Sequence, residues 1–366
     1  MKVALVYDRV NKWGGAERVL LTLHEMFPDA CLYTSLYNPK RASWAKVFPK
    51  VIPSFLQKMP FFNTKHELLP IFMPLAFESF DFSEYDLVIS VTSEAAKGII
   101  TKPDSFHVCY CLTPTRYLWS HYHEYFKNPV FRFISKPFVD YLKIWDKIAS
   151  QRPDIMIAIS SEVKRRIKKY YGRDSEIIYP PVDLEKFDIG SLKINEGNYR
   201  KKKYYLIVSR LVPYKKVDLA IEAFNCLGYP LLIVGTGSEE KRLKKMAKKN
   251  IRFAGFVKDK ELVEKYAGAI AFIYPQEEDF GITALEAQAL GVPVIAFRKG
   301  GAVDTVVEGK TGVFFGKQTK DSLINAVKLF ERMDKRGLKN YCFANAKRFS
   351  KERFKKEFLD LINLKV

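Results

Sequence analysis

Apolar and polar positions alternate in blocks along this chain. Short, mostly apolar runs recur at 3–7, 86–91, 107–112, 154–159, 204–209, 231–234, 269–274 and 292–297. Most lead into a glycine-rich or polar turn and then into a segment with helical spacing. A continuous apolar run of this length is what a strand buried on both faces of a parallel sheet looks like. The clearest unit is 269–297: a strand at 269–274, a helix at 282–290 and a second strand at 292–297. Gly291 stands where left-handed backbone best ends a helix. Strand, loop, helix and strand make the unit of a parallel sheet. Its repetition in both halves predicts an α/β chain of two Rossmann-like domains. Such sheets bind ligands beyond the carboxyl ends of their strands.

The loops at those ends carry the candidate chemistry. Before the helix at 282–290 lies Glu277-Glu278-Asp279-Phe280-Gly281, and Glu286 sits about one turn inside that helix. The amides of Phe280, Gly281, Ile282 and Thr283 fall at the helix start, where the helix leaves N–H groups for an anion. The first strand leads into Asn11-Lys12-Trp13-Gly14-Gly15 and a helix at 16–27. Gly15 allows close approach of a phosphate, although a glycine pair alone also suits a plain turn. The strand at 204–209 ends in Arg210-Leu211-Val212-Pro213-Tyr214-Lys215-Lys216. An arginine at a strand end and a loop lysine fix positive charge there, with Lys215 and Lys216 competing for the second place. Gly235-Thr236-Gly237 follows 231–234, and Phe256-Val257 closes an apolar run from 251. Ser160 is placed to cap the basic helix after 154–159. Residues 55–82 interleave aromatics and prolines with Lys58, Lys65 and His66. They read either as buried helices or as an acceptor- or membrane-facing lobe.

Composition narrows the field. At 366 residues and 48% hydrophobic, the chain suits two domains rather than one core. No apolar stretch reaches the ~18 residues of a membrane span, and Met1 leads straight into the first strand, with no signal-peptide pattern. The five cysteines lack C-x-x-C spacing, which points to a reducing compartment. The net charge of +20 fits nucleic acid, an anionic membrane, anionic substrates or simply a solvated basic surface. No RNP, helix-turn-helix or zinc pattern supports nucleic acid as a partner. The five histidines make no H-E-x-x-H set, and D-x-D, G-x-S-x-G and Walker A patterns are absent. No metal ligand set is expected.

Residues 277–296, Glu-Glu-Asp-Phe-Gly-Ile-Thr-Ala-Leu-Glu-Ala-Gln-Ala-Leu-Gly-Val-Pro-Val-Ile-Ala, resemble the E-x7-E motif of the retaining GT-B glycosyltransferases of sequence family 4. With Gly300-Gly301-Ala302 and Thr305-Val306, the likeness is closest to the bacterial mannosyltransferase branch. Arg210-Leu211 with Lys215 resembles the family's R-L-x-x-x-K element. The resemblance covers nearly the whole chain and implies two Rossmann-like domains whose parallel sheets face an interdomain cleft. The expected boundaries are an acceptor domain at 1–188, a linker at 189–203, a donor domain at 204–345 and a helix at 346–366 returning to the first domain.

The resemblance also implies roles. Arg210 and Lys215 would hold the donor diphosphate, and Glu278 would grip the donor sugar. Glu286 would take the ribose hydroxyls. Gly15, Phe280, Gly281, Ile282, Thr283, Gly235, Gly237, Phe256 and Val257 would complete the donor side. Thr113 and Arg116 would belong to the acceptor or sugar side. The branch usually has C-H-T-P-x-R-Y where this chain has Cys111-Leu112-Thr113-Pro114-Thr115-Arg116-Tyr117, so Leu112 replaces a histidine near the sugar. Glu94 likewise stands where relatives often carry a histidine. The implied activity is retaining, metal-independent transfer of mannose from GDP-mannose, a substrate rather than a cofactor, to a glycan or lipid-linked acceptor. The implied setting is the cytoplasm, with peripheral contact at the anionic inner face of the plasma membrane. A nucleotide-sugar epimerase of the same fold, a donor-binding protein without catalysis and a basic nucleic-acid binder stay open as alternatives.

Overall fold

The computed structural model describes residues 1–59, 70–126, 128–187 and 203–364, with 123 and 124 described by backbone alone. The chain forms two compact units, Met1–Tyr179 with Phe354–Val366, and Pro180–Arg353.

The first unit holds seven parallel strands: β1 (Val3–Tyr7), β2 (Cys31–Thr34), β3 (Val51–Pro53), β4 (Leu87–Thr92), β5 (Phe106–Cys111), β6 (Ile155–Ala158) and β7 (Glu176–Ile177). Their order is β3-β2-β1-β4-β5-β6-β7, which begins as the doubly wound order of dinucleotide-binding folds. Every residue of β1 and β4 is buried, as central strands covered on both faces require. Those strands are where the apolar runs predict them. The sequence pattern misses β2, β3 and β7, because they are short flanking strands without a fully buried apolar run. The helix after β1 spans Gly15–Met26. Ser160 caps Ser161–Tyr171 as expected, its Oγ accepting from the Val163 amide at 3.1 Å.

The aromatic stretch after β3 divides between the two readings. Leu56, Met73, Ala76, Phe77 and Phe82 pack into the core, whereas Phe55, Phe72 and Leu75 are exposed. Among the described residues of this stretch one α-helix forms, Met73–Glu78, with 3-10 turns at Phe55–Lys58 and Pro70–Phe72. Lys65 and His66 lie outside the described residues.

The second unit holds β8 (Tyr204–Val208), β9 (Leu231–Val234), β10 (Ile251–Gly255), β11 (Ala269–Tyr274), β12 (Val294–Phe297) and β13 (Gly312–Phe315). All pair in parallel in the order β10-β9-β8-β11-β12-β13. One buried cluster centres on Tyr205, Phe224, Ile273 and Phe330, and another on Leu206, Phe272, Ala287 and Val294. Adjacent residues Tyr205 and Leu206 thus feed opposite faces, as the two-residue period of a strand demands.

The units do not divide at the expected 188 and 345. Val182 pairs with Ser350, and Asp183 with Lys351 at 3.5 Å, so 180–187 and 346–353 stay with the second unit. Only from Phe354 does the chain rejoin the first unit, where Phe354 meets Tyr110 edge-on at 5.7 Å. Nearly all of the expected linker at 189–203 lies outside the described residues.

His107 on β5 is fully buried, bonded through Nε2 to Ser90 Oγ at 2.8 Å. Burial, with Arg173 and Arg152 nearby, pushes its pKa from 6.5 down to about 3. The unfolded chain therefore binds a proton below pH 6.5 that the native state refuses until about pH 3. The stabilisation is complete above 6.5 and is lost as pH falls through that window, approaching ~4 kcal/mol at its acid end. Urea denaturation across this range should show that loss, and His107→Gln should flatten it.

Candidate functional site

In the second unit the strand order reverses between β8 and β11, neighbours in the sheet. Chains leaving such a pair diverge and open a crevice at their carboxyl ends. The loop after β8 carries Arg210, then a 3-10 turn at Pro213–Lys215. Lys216 takes left-handed backbone, φ 52°, and caps the helix Val217–Leu227. This turn separates the two lysines: Lys215 Nζ donates to Glu278 Oε1 in the loop after β11, while Lys216 is exposed. Gln276 Nε2 also reaches Glu278 Oε1, at 3.3 Å. Arg210 is exposed, and its guanidinium donates to Tyr214 Oη at 2.5 Å. Lys215 and Glu278, far apart in sequence, thus meet at the reversal, and Arg210 stands in the same loop as Lys215.

The helix after the acidic loop spans Ile282–Ala289, with Gly281 left-handed at its start (φ 97°). Among the described backbone hydrogen bonds outside helices and strands, none is donated by the amides of Gly281, Ile282 or Thr283. The Phe280 side chain turns inward against Phe349 at 5.8 Å, so this residue offers its backbone alone. Glu286 is 2% exposed and accepts from Tyr266 Oη at 3.0 Å. Asn345 braces the same helix by donating to Gln288 Oε1 at 2.7 Å. Val257 is buried while the Phe256 ring is 80% exposed.

Gly235 and Gly237 have a structural reason that their pattern does not show. A Cβ on Gly235 would stand 1.9 Å from the Ser209 carbonyl oxygen, and one on Gly237 2.2 Å from that of Leu211. The G-x-G turn therefore packs its backbone directly on the loop bearing Arg210. Gly300 and Gly301 do the same for the acidic loop: their Cβ atoms would meet Glu278 O at 2.2 Å and Phe280 Cα at 2.3 Å. Gly301 N also donates to Glu278 O at 2.7 Å. The sequence shows Gly300-Gly301 but not this clamp. Gly15 is the contrast, since a Cβ there would meet nothing within 4 Å.

The first unit repeats the scheme. Its order reverses between β1 and β4. Asp8, just past β1, accepts from Thr92 Oγ1 (2.8 Å) and from the amides of Ser93 (2.7 Å), Ala95 and Ala96 (both 2.9 Å). Arg9 pairs with Glu94 at 2.7 Å, and Tyr117 Oη donates to Glu94 at 2.8 Å. Burial raises the Glu94 pKa, with Arg9 working against it. Asp8 and Arg9 carry no motif, their one hint being a polar pair ending an apolar strand, and the motif-like segment that ends in Tyr117 gives no sign of its bond to Glu94. Thr113 is buried with no described partner for its hydroxyl, Arg116 is half-buried, and Leu112 is half-buried at the end of β5. The loop holding them is anchored by Asp146, which accepts from Thr115 Oγ1 (2.9 Å), Trp119 Nε1 (2.7 Å) and Tyr171 Oη (2.8 Å) and pairs with buried Lys97. Among the described residues no three Asp, Glu, His or Cys side chains converge as a metal would need.

Two doubly wound sheets in tandem, each with charged residues gathered at its reversal, make the fold of the GT-B glycosyltransferases. Residues 13–186 match the family described as Glycosyltransferase Family 4, and residues 189–349 match Glycosyl transferases group 1. The chain belongs to the family 4 glycosyltransferases. It is 32% identical over 198 residues, 48% of this chain and 51% of the other, to the GDP-mannose-dependent alpha-(1-6)-phosphatidylinositol monomannoside mannosyltransferase of Mycobacterium tuberculosis. It is 28% identical over 211 residues, 56% of this chain and 57% of the other, to an uncharacterised glycosyltransferase of Methanocaldococcus jannaschii. The chain thus spans about half the length of the curated relatives it matches. Anabaena HepE, solved in complex with UDP, shares the fold at a TM-score of 0.73 and 19% identity, over 99% of this chain and 100% of that one. It is also solved with UDP-glucose.

The glycine contacts make a paired prediction. Gly237→Ala should lower unfolding stability by about 1–3 kcal/mol, because backbone has to shift, whereas Gly15→Ala should leave it unchanged. Chemical denaturation of both variants checks this.

Proposed function

We propose that this glycosyltransferase moves mannose from GDP-mannose to a glycan or lipid-linked acceptor, with retention and without a metal ion. The observation that carries the reading is the meeting of Lys215 and Glu278 across the β8–β11 reversal, with Arg210 exposed in the Lys215 loop. A nucleoside diphosphate gains negative charge as it leaves, and fixed cations aimed at that charge lower the barrier. Arg210 and Lys215 supply them. Lys215 exchanges its bond to Glu278 for the diphosphate when the donor binds, which releases the Glu278 carboxylate to the sugar hydroxyls. Glu286, its rotamer fixed by Tyr266, accepts from the ribose. The amides from Phe280 to Thr283 and the backbone at Gly235, Gly237, Phe256 and Val257 line the donor, and Gly15 leaves room for its phosphates.

The acceptor hydroxyl attacks the anomeric carbon on the face the diphosphate leaves. The bond from that carbon to the diphosphate oxygen breaks, the new glycosidic bond forms, and the hydroxyl proton passes to the departing oxygen. Leu112 cannot make the histidine contact of the resembling branch, and Arg116 with Thr113 takes the sugar side. The Mycobacterium tuberculosis relative's name supports GDP-mannose, while HepE with UDP-glucose favours a UDP-sugar as a second reading. The setting proposed is the cytoplasm.

Thermal-shift screening against GDP-, UDP- and ADP-sugars separates the donors, since ligand binding raises apparent stability by mass action. A rise with GDP-mannose is expected; a rise confined to UDP-sugars would transfer the assignment to them. With the productive donor, Arg210→Ala should lower kcat/KM on the order of 10²-fold or more. Full activity in that variant would remove the diphosphate role. Initial rates should be unchanged in excess EDTA, and their abolition would overturn the metal-free mechanism.

A further inference from the structure

The loop that leaves β1 carries a tryptophan in the open. Trp13 is 51% exposed, just before the helix Gly15–Met26. A single exposed ring is ordinary on a protein surface, but this one is braced. Trp44, from the 3-10 turn Ser43–Val47, stands against it with ring centroids 6.4 Å apart and planes at 60°. Trp44 Nε1 donates to the Lys12 carbonyl at 2.8 Å, which ties down the backbone next to Trp13. Phe48 backs Trp44 edge-on at 6.2 Å. The loop is pinned near its start as well: the Val10 amide donates to Leu36 O at 2.9 Å, and the Asn38 amide to Val10 O at 2.8 Å. Two residues on, Gly15 is exposed and borders open space, since a Cβ there would meet nothing within 4 Å.

Polar groups with unused bonding capacity gather at the same strand exit. Arg9 bonds to Glu94, yet its Nε is buried with no described partner. The 112–117 loop lies against Glu94, whose carbonyl accepts from Thr115 Oγ1 at 3.3 Å. In that loop the Thr113 hydroxyl is buried and equally without a described partner. Buried polar atoms are nearly always paired, so Arg9 Nε and Thr113 Oγ1 are two places for a ligand's oxygens. The charges here pair off: Arg9 with Glu94, Lys97 with Asp146, and Asp8 with Thr92 Oγ1 and the Ser93 amide. Matched in this way, they suit a neutral ligand rich in hydroxyls better than a phosphate.

We propose that Trp13 is a stacking platform for a neutral pyranose of the acceptor, with Arg9 and Thr113 taking its hydroxyls. A pyranose has a face of C–H groups, which suit the negative face of an aromatic ring, and a rim of hydroxyls that both donate and accept. Aromatic lining with a few placed polar groups is the usual make-up of small-ligand sites. The bracing by Trp44 matters because a ring already fixed loses little freedom on binding. Trp13 offers one ring, the footprint of one sugar, whereas a stable protein interface takes roughly 800 Å² per partner. This acceptor class rests on the proposed transfer reaction and narrows it to a glycan end rather than a phosphorylated head group.

Calorimetric titration of the full chain with mannotriose, maltotriose and cellotriose, without donor, tests this. At least one should bind saturably. Trp13→Ala should weaken that binding about tenfold or more, and Trp13→Phe, which restores a ring, should recover most of it. Thr113→Val should weaken it about threefold or more through the lost hydroxyl. Mannose 6-phosphate should bind no more tightly than mannose. No binding of any of the three sugars, undiminished binding by Trp13→Ala or Thr113→Val, failure of Trp13→Phe to restore it, or preference for the phosphorylated sugar would overturn the proposal. Because no donor is present, such a failure leaves the donor assignment standing. Sugar binding in a chain whose melting no nucleotide sugar shifts would instead remove the transferase reading and keep the platform.

Discussion

Each sheet reverses its strand order once, and the chemistry gathers where it does. At β1–β4 and at β8–β11 the neighbouring strands send their chains in opposite directions, which opens a crevice beyond their carboxyl ends. Polar side chains bridge between the loops there. Asp8 and Arg9 reach from β1 to the Thr92–Ala96 segment and Glu94, and Lys215 reaches from the β8 loop to Glu278. These bonds join residues far apart in sequence, which fixes the geometry of the ends more firmly than the loops alone would. The same topology that makes a ligand crevice thus supplies the charged groups that line it.

Close backbone packing holds those groups in register. In the second unit the carbonyls of Ser209 and Leu211 sit where side chains on Gly235 and Gly237 would begin, and Gly300 and Gly301 press on the acidic loop in the same way. The glycines thus act on the loops that carry Arg210 and Glu278. A glycine pattern in a sequence names a close approach, but not what approaches; here the structure shows that it is protein backbone.

Much of the fold is legible because its central strands are buried on both faces and write continuous apolar runs. Val3–Tyr7, Leu231–Val234 and Ala269–Tyr274 sit where the pattern puts them. The flanking strands β2, β3 and β7 leave no such run. The E-x7-E spacing places Glu278 and Glu286 on one loop–helix unit, yet it gives no sign that Tyr266 holds Glu286 or that Lys215 rather than Lys216 meets Glu278. That choice depends on left-handed backbone at a lysine, a conformation side chains rarely favour. The meeting of Arg9, Glu94 and Tyr117 is hidden for another reason: Glu94 and Tyr117 draw attention singly, but the three come together only through the tertiary fold, from three separate loops.

Asp146 has a consequence for how the first unit responds to force. It sits on the inner side of the Pro129–Ala149 helix and binds Thr115, Trp119, Tyr171 and Lys97 at once. The helix and the loop at 112–119 are therefore one mechanical piece. A tilt or slide of the helix must carry Thr113 and Arg116 with it, or break a buried ion pair and its hydrogen bonds together. Whatever rests on the outside of that helix has a lever on Thr113 and Arg116.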